Sequence, residues 1–148
     1  RYRSFFTGDT FGISYREFDV DGMEFVFPTT TPVQFDPAAA HASLDRLMSY
    51  HPSYAFLTHF GRIGHLPRHA AEMHDLIDAH VAAALKLRDC GPGRLAALTE
   101  ELGELLLRRI LIHGCKLPDH EIRNLLELDV RLNAQGLENW LNHAGETR

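Results

Sequence analysis

Apolar positions follow two regimes along the chain. In the first third they come in short runs separated by polar turns rich in Gly and Pro; beyond Gly61 they recur every three or four residues. The runs Ser4–Thr7 and Glu24–Phe27 predict two strands, the second stopped by Pro28. Asp19-Val20-Asp21-Gly22 has turn chemistry between them. Pro28-Thr29-Thr30-Thr31-Pro32-Val33-Gln34 reads as a polar loop stiffened by two prolines. Asp36-Pro37 predicts a helix start, with Asp36 as N-cap and Pro37 at the first helical position, where its missing N–H costs nothing. Ala40, Leu44, Leu47 and Met48 recur at helical spacing and would pack against a sheet. His51-Pro52 ends that helix, and Tyr54–Thr58 predicts a third strand. The order of strands and helix points to a layered α/β arrangement.

From Pro67 onward the pattern predicts helix alone. Ala70, Met73, Ile77, Val81, Ala84 and Leu85 form one apolar stripe, closed by Cys90-Gly91-Pro92-Gly93. A second helix carries Leu95, Leu98, Leu102, Leu105, Leu106 and Ile110 and stops at His113-Gly114. The third begins at Pro118-Asp119, carries Ile122, Leu125, Leu126 and Val130, and continues beyond Gly136 with Leu137, Trp140 and Leu141. The expected organisation is therefore an α/β part over residues 1–66 and a helical extension over 67–148. The extension is expected to form a cap over a cleft or the surface of a homodimer.

Three strands and one helix make a small sheet with open edges, and Phe25, Phe27, Phe56 and Leu57 are expected to leave an apolar face uncovered. The chain opens at Arg1, close to the first expected strand, so a preceding segment or a separate chain is expected to cover that face. Composition narrows the function classes. With 45% hydrophobic and 24% charged residues the chain is globular. A net charge of −5 argues against a broad basic footprint for nucleic acid. No apolar run approaches the ~20 residues that span a bilayer. Cys90 and Cys115 stand far apart without CxxC spacing, which fits a reducing cytoplasm. Ten histidines, the commonest metal ligand type, direct attention to metal chemistry.

Two turns carry that chemistry: Thr7-Gly8-Asp9-Thr10 and Leu57-Thr58-His59-Phe60-Gly61, each directly after an expected strand. A carboxylate and an imidazole at adjacent strand ends are the donors a divalent metal needs. Phe6-Thr7-Gly8-Asp9-Thr10, Phe25-Val26-Phe27-Pro28 and Leu57-Thr58-His59-Phe60-Gly61, taken in order, resemble the second half of metallo-β-lactamase-fold hydrolases. The resemblance covers residues 1 to about 66 by motif. The helical tail, including Leu132-Asn133-Ala134-Gln135-Gly136-Leu137, also looks like the C-terminal extension of a bacterial branch of that superfamily.

The resemblance implies the C-terminal half of an αββα sandwich followed by a three-helix extension. It further implies that Asp9 bridges two metal ions and that His59 binds the second. The superfamily's principal signature, HxHxDH, is missing from this chain, so a further N-terminal half or a partner chain is expected to supply it. The implied activity is hydrolysis of an ester, thioester, lactone, lactam or phosphoester in a small-molecule substrate. Zinc is the default metal for carboxylate and imidazole donors, with iron and manganese compatible. An aspartate bridging ions ~3.5–4 Å apart screens their repulsion, and water between such ions becomes a nucleophile near neutral pH. Gly8 would let the backbone turn tightly so that Asp9 leaves the strand end, and Gly61 would do the same after His59. Thr10 or Tyr15 would hydrogen-bond the metal-bound groups, and Thr29, Thr30, Thr31 and Gln34 would line a substrate cleft.

Rival readings attach to the same residues. Taken singly, Asp9 fits a plain turn aspartate and His59 a strand-end histidine; the ordered pair argues for the metal. His65, His69, His74, Asp75, Asp78 and His80 invite a second, helix-borne site, in which His69, His74 and Asp78 would be the donors. Against it, His69 and His74 lie five residues apart and splay around the helix, while Pro67 leaves His65 outside it. His80 interrupts the apolar stripe and reads as a core or interface histidine. The competing function is a non-catalytic helical interaction module whose α/β part docks on a partner.

Overall fold

The computed structural model describes residues 3–30 and 35–144. Among them the chain is a mixed α/β protein with one three-stranded sheet and four α-helices. The elements are β1 (Ser4–Gly8), α1 (Pro37–Ser49), β2 (Tyr54–Leu57), β3 (Gly61–Ile63), α2 (Leu66–Lys86), α3 (Arg94–His113) and α4 (Asp119–Ala144). The chain divides into two compact units, Arg1–Thr29 with Pro37–Ile77 and Thr30–Asp36 with Asp78–Arg148. The division falls inside α2, and the short stretch 30–36 belongs with the helices. No helix among the described residues is long and apolar enough to cross a membrane.

In the first unit β2 is the central strand. It pairs in parallel with β1, Phe5 opposite Ala55 and Gly8 opposite Leu57, and antiparallel with β3, Ala55 opposite Ile63. Parallel neighbours need a crossover rather than a hairpin, and that crossover contains α1, which starts at Pro37 as the sequence predicts. A three-residue loop, Thr58-His59-Phe60, joins β2 to β3, a strand the sequence pattern did not announce.

The expected strand over Glu24–Phe27 does not form. The segment makes one isolated antiparallel bridge, Phe27 with Ile13, and Met23 just before it bridges Val20. The physical reason lies in its side chains: Phe25, Val26, Phe27 and Pro28 are all buried in succession. A strand with one face in water alternates instead. This segment serves as a core anchor, with Phe25 and Phe27 6.1 Å apart and Phe18 edge-on to Phe25.

The uncovered apolar face is likewise corrected. Phe25, Phe27 and Leu57 are buried with Phe11, Ile13, Phe18 and Ile63. On β1, Phe6 is left 88% exposed and stacks on its cross-strand neighbour Phe56 at 5.0 Å.

In the second unit α3 and α4 pack along the stripes read from the sequence. Leu98, Leu102, Leu106 and Ile110 on α3, and Ile122, Leu126, Val130, Ala134 and Leu137 on α4, are buried. Arg94 at the start of α3 grips Glu138 near the end of α4 with two bonds of 2.6 and 2.9 Å, a forked geometry suited to guanidinium and carboxylate. A buried polar contact ties Thr30 to α4. The Thr30 N–H donates to Asn133 Oδ1 at 2.8 Å, and the Thr30 hydroxyl donates to the Asn133 carbonyl at 2.7 Å. Phe35 follows, its ring edge-on to Trp140 at 6.2 Å.

That contact explains a glycine within α4. A Cβ on Gly136 would run into the Thr30 carbonyl, which is backbone and unable to move aside cheaply. Gly136→Ala is therefore expected to destabilise the chain by about 2–4 kcal/mol in denaturant unfolding, against the usual helix preference for Ala. Gly103, in α3, meets only ordinary van der Waals neighbours. Gly103→Ala should gain about 0.5–1 kcal/mol. Equal effects from the two substitutions would contradict this packing.

Candidate metal centre

The candidate site follows from strand register. Because β1 and β2 run in parallel with Gly8 opposite Leu57, the residues that follow each strand emerge at the same end of the sheet. Asp9 leaves β1 there, and His59 sits in the loop after β2. Both are exposed. The backbone turns sharply at the two glycines expected to do so, with φ of 56° at Gly8 and 90° at Gly61. After Gly8 the chain stays tight: the Thr10 N–H donates to the Thr7 carbonyl at 3.2 Å and the Gly12 N–H to the Asp9 carbonyl at 2.9 Å.

Beneath the two donors lies Thr7, a residue the sequence reading passed over. Its hydroxyl is nearly buried and reaches the Phe56 carbonyl on β2 at 3.4 Å and its neighbour's carbonyl, Gly8, at 3.3 Å. It thereby ties the ends of the two strands that carry Asp9 and His59. A buried threonine between strands is unremarkable from sequence, because only the pairing reveals which carbonyl it meets.

Tyr15 approaches from the loop after Gly12. Its ring packs against Phe60, the neighbour of His59, with centroids 4.4 Å apart, and against Phe18 and Phe27. Phe60 has φ of 70°, an uncommon conformation for an aromatic residue. The packing on Tyr15 helps to hold it, and with it the loop that carries His59. Thr10 is exposed in the turn beside Asp9. Thr31 lies outside the described residues.

Asp9 and His59 together offer one carboxylate and one imidazole, a donor set that suits zinc, iron or manganese but fills only part of a coordination sphere. Among the described residues no group of three or more His, Cys, Asp or Glu side chains is placed to hold a metal ion.

The histidines of α2 part company. His65 precedes the helix with φ of 49°, and its carbonyl accepts the N–H groups of Arg68 and His69. His69 is fully buried, with Nε2 at 3.2 Å from Glu24 Oε2 and Nδ1 at 3.5 Å from Glu72 Oε2. His74 instead faces His41 and Asp45 of α1. His69 and His74 thus have different partners, as their five-residue spacing requires.

Glu24 is the polar residue that the sequence reading placed in a strand and left without a task. It lies between apolar Met23 and Phe25, and a carboxylate in such a run needs partners once buried. Oε1 accepts the Gly64 N–H at 3.1 Å and Oε2 faces His69. Burial pushes the Glu24 carboxyl up, but hydrogen bonds from its own N–H, from Gly64 and from His69, with the charge of His69, outweigh burial. The net effect holds it below its ordinary value. Gly64 directly follows β3, so Glu24 pins the far end of the hairpin whose loop bears His59.

A carboxyl depressed in the folded state contributes stability that is present above its unfolded value, ~4.3, and lost as pH falls through the lower folded value. Glu24→Gln is expected to cost about 1–2 kcal/mol in urea unfolding at pH 7. The gap from wild type should narrow at about pH 3, below the unfolded value, as the Glu24 carboxyl takes up its proton. A gap of the same size at both pH values would show that the charge is not what matters.

Compared with protein-family models, with curated proteins and with solved structures, the chain matches none.

Proposed function

We propose that this chain is the second-metal half of a dinuclear metal-dependent hydrolase of the metallo-β-lactamase fold, with a helical C-terminal extension. The observation that carries the reading is the parallel register of β1 and β2, which puts Asp9 and His59 at one end of one sheet. In this reading Asp9 would be a ligand shared by two divalent ions, zinc by default, and His59 would hold the second. A segment or partner chain bearing HxHxDH supplies the remaining donors. When bound, the metal pair supplies Lewis-acid activation of water for attack on an ester, thioester, lactone, lactam or phosphoester.

The chain's own residues have the simpler tasks of holding and aiming. Thr7 ties the ends of the two strands that lead into the carboxylate and the imidazole. Tyr15, packed on Phe60, limits the freedom of the loop bearing His59. Thr10, one residue beyond Asp9, is placed to hydrogen-bond the metal-bound carboxylate. An exposed pair at a strand end leaves one side open for small-molecule substrate and for the complementary half. Holding donors in a productive geometry before the metal arrives is what makes such a site tight.

The test is metal analysis of the protein assembled with the polypeptide that carries HxHxDH. Wild type should hold two metal ions per assembly, and Asp9→Ala should lose at least one and most of the hydrolytic activity, by about 10²-fold or more. Unchanged metal content and turnover in Asp9→Ala would sink the proposal and favour the interaction module. The chain alone is expected to retain metal weakly and to turn over nothing, because two donors leave most coordination positions open. Tight stoichiometric metal in the isolated chain would contradict that part of the reading.

A further inference from the structure

β1 stands at the edge of its sheet, with β2 on one side and, among the described residues, no strand on the other. The Arg3 carbonyl accepts the N–H groups of Ser53 and Tyr54 at 2.7 and 3.4 Å, so the backbone at residue 3 points toward β2. Alternation along the strand turns Phe5 the same way and sends the N–H and C=O groups of Ser4 and Phe6 outward. An outward row of this kind is a template for another strand. Edges that stay single are commonly guarded by lysine, proline or an inward charge, and Ser4-Phe5-Phe6-Thr7 carries none of these. The Phe6 ring, largely in water, lies beside the row and stacks on Phe56.

The strand's own charges select the occupant. Lay a second copy antiparallel, with Phe6 opposite its own image, and outward groups meet outward groups: Phe6 pairs with Phe6 and Ser4 with Gly8. The same register sets Arg3 of each copy opposite Asp9 of the other, a cation against an anion at both ends of the seam. Both residues are exposed. Slipping the register so that Ser4 faces Phe6 sets Arg3 against Thr7, which is buried, and loses both charge pairs. In the first register Phe6 meets its copy on the open face and extends the Phe6–Phe56 stack across the seam.

The sheet also limits growth. Gly8, with φ of 56°, and the tight turn from Thr7 to Gly12 end β1. Beyond the opposite edge strand, the N–H of Gly64 directly after β3 is held by Glu24. A two-fold pairing of β1 therefore closes on itself and builds no fibre. So short a seam belongs with the weak interfaces, and its occupancy follows concentration.

We propose that the chain self-associates through β1 as an antiparallel two-fold dimer, with Phe6 against Phe6 and Arg3 against Asp9 of the second copy. The pairing rests on strand direction, exposure and charge, and not on the metal reading. Asp9 engaged by the second copy's Arg3 is not open to a metal ion, so the dimer is a metal-free form.

The experiment is analytical ultracentrifugation of the whole chain in buffer with a chelator, which keeps its outcome separate from that of the metal analysis. Over about a hundredfold range of concentration wild type should pass from monomer to dimer. The Ser4 and Phe6 amides should gain hydrogen-exchange protection as it does. Phe6→Lys and Asp9→Arg change exposed residues, and each change acts twice across a two-fold seam, so each should weaken the dimer by about tenfold or more. Arg3→Asp combined with Asp9→Arg restores opposite signs and should recover association. Circular dichroism checks that every variant is folded. A monomer at every concentration would overturn the proposal. So would a dimer indifferent to Phe6→Lys, whose contact must lie elsewhere, or a charge exchange that fails to recover association in the folded double variant.

Discussion

The rest of the first unit depends on one pairing, the parallel ladder between β1 and β2. Parallel neighbours are obliged to start and stop at the same ends of a sheet, and the chain between them must cross from one end to the other. That obligation places α1 in the crossover and brings two turns, 50 residues apart in sequence (Asp9 to His59) but adjacent in register, to one edge. Had β1 and β2 paired antiparallel, Asp9 and His59 would stand at opposite ends. The chemistry proposed for them rests on strand direction before it rests on any property of the side chains.

Polar groups buried by the fold then fix what strand pairing leaves loose. Glu24 reaches Gly64 and His69 and so anchors the junction between β3 and α2. Thr30 is tied to Asn133 of α4 in the same way, at the expense of any side chain on Gly136. These contacts cannot be replaced piecemeal, because removing one partner leaves the other buried and unsatisfied. Apolar packing in the two units sets their stability, while these few bonds decide where particular loops go.

The helices were legible because their signals are local. Pro37, Gly91-Pro92-Gly93 and Gly114 mark beginnings and ends, and the spacing of Leu98, Leu102, Leu106 and Ile110 fixes which face is buried. Glu24–Phe27 misled for the same reason. Its β-branched and aromatic composition suits a strand, yet four consecutive side chains turn inward, and local composition carries no record of how many faces are covered. β3 escaped notice because three residues, Gly61-Arg62-Ile63, are too few for a period to show.

By itself the sequence determined the helical tail, the strand, helix, strand order at the front, and the two turns carrying Asp9 and His59. Each rests on interactions within a few residues, where turn chemistry and periodicity act directly. Only the tertiary structure decided that the two turns share a sheet edge, that Thr7 spans the strands below them, and that Glu24 finds His69. Those facts join residues far apart in the chain, and the energy that brings them together comes from packing the whole unit, which no short window of sequence contains.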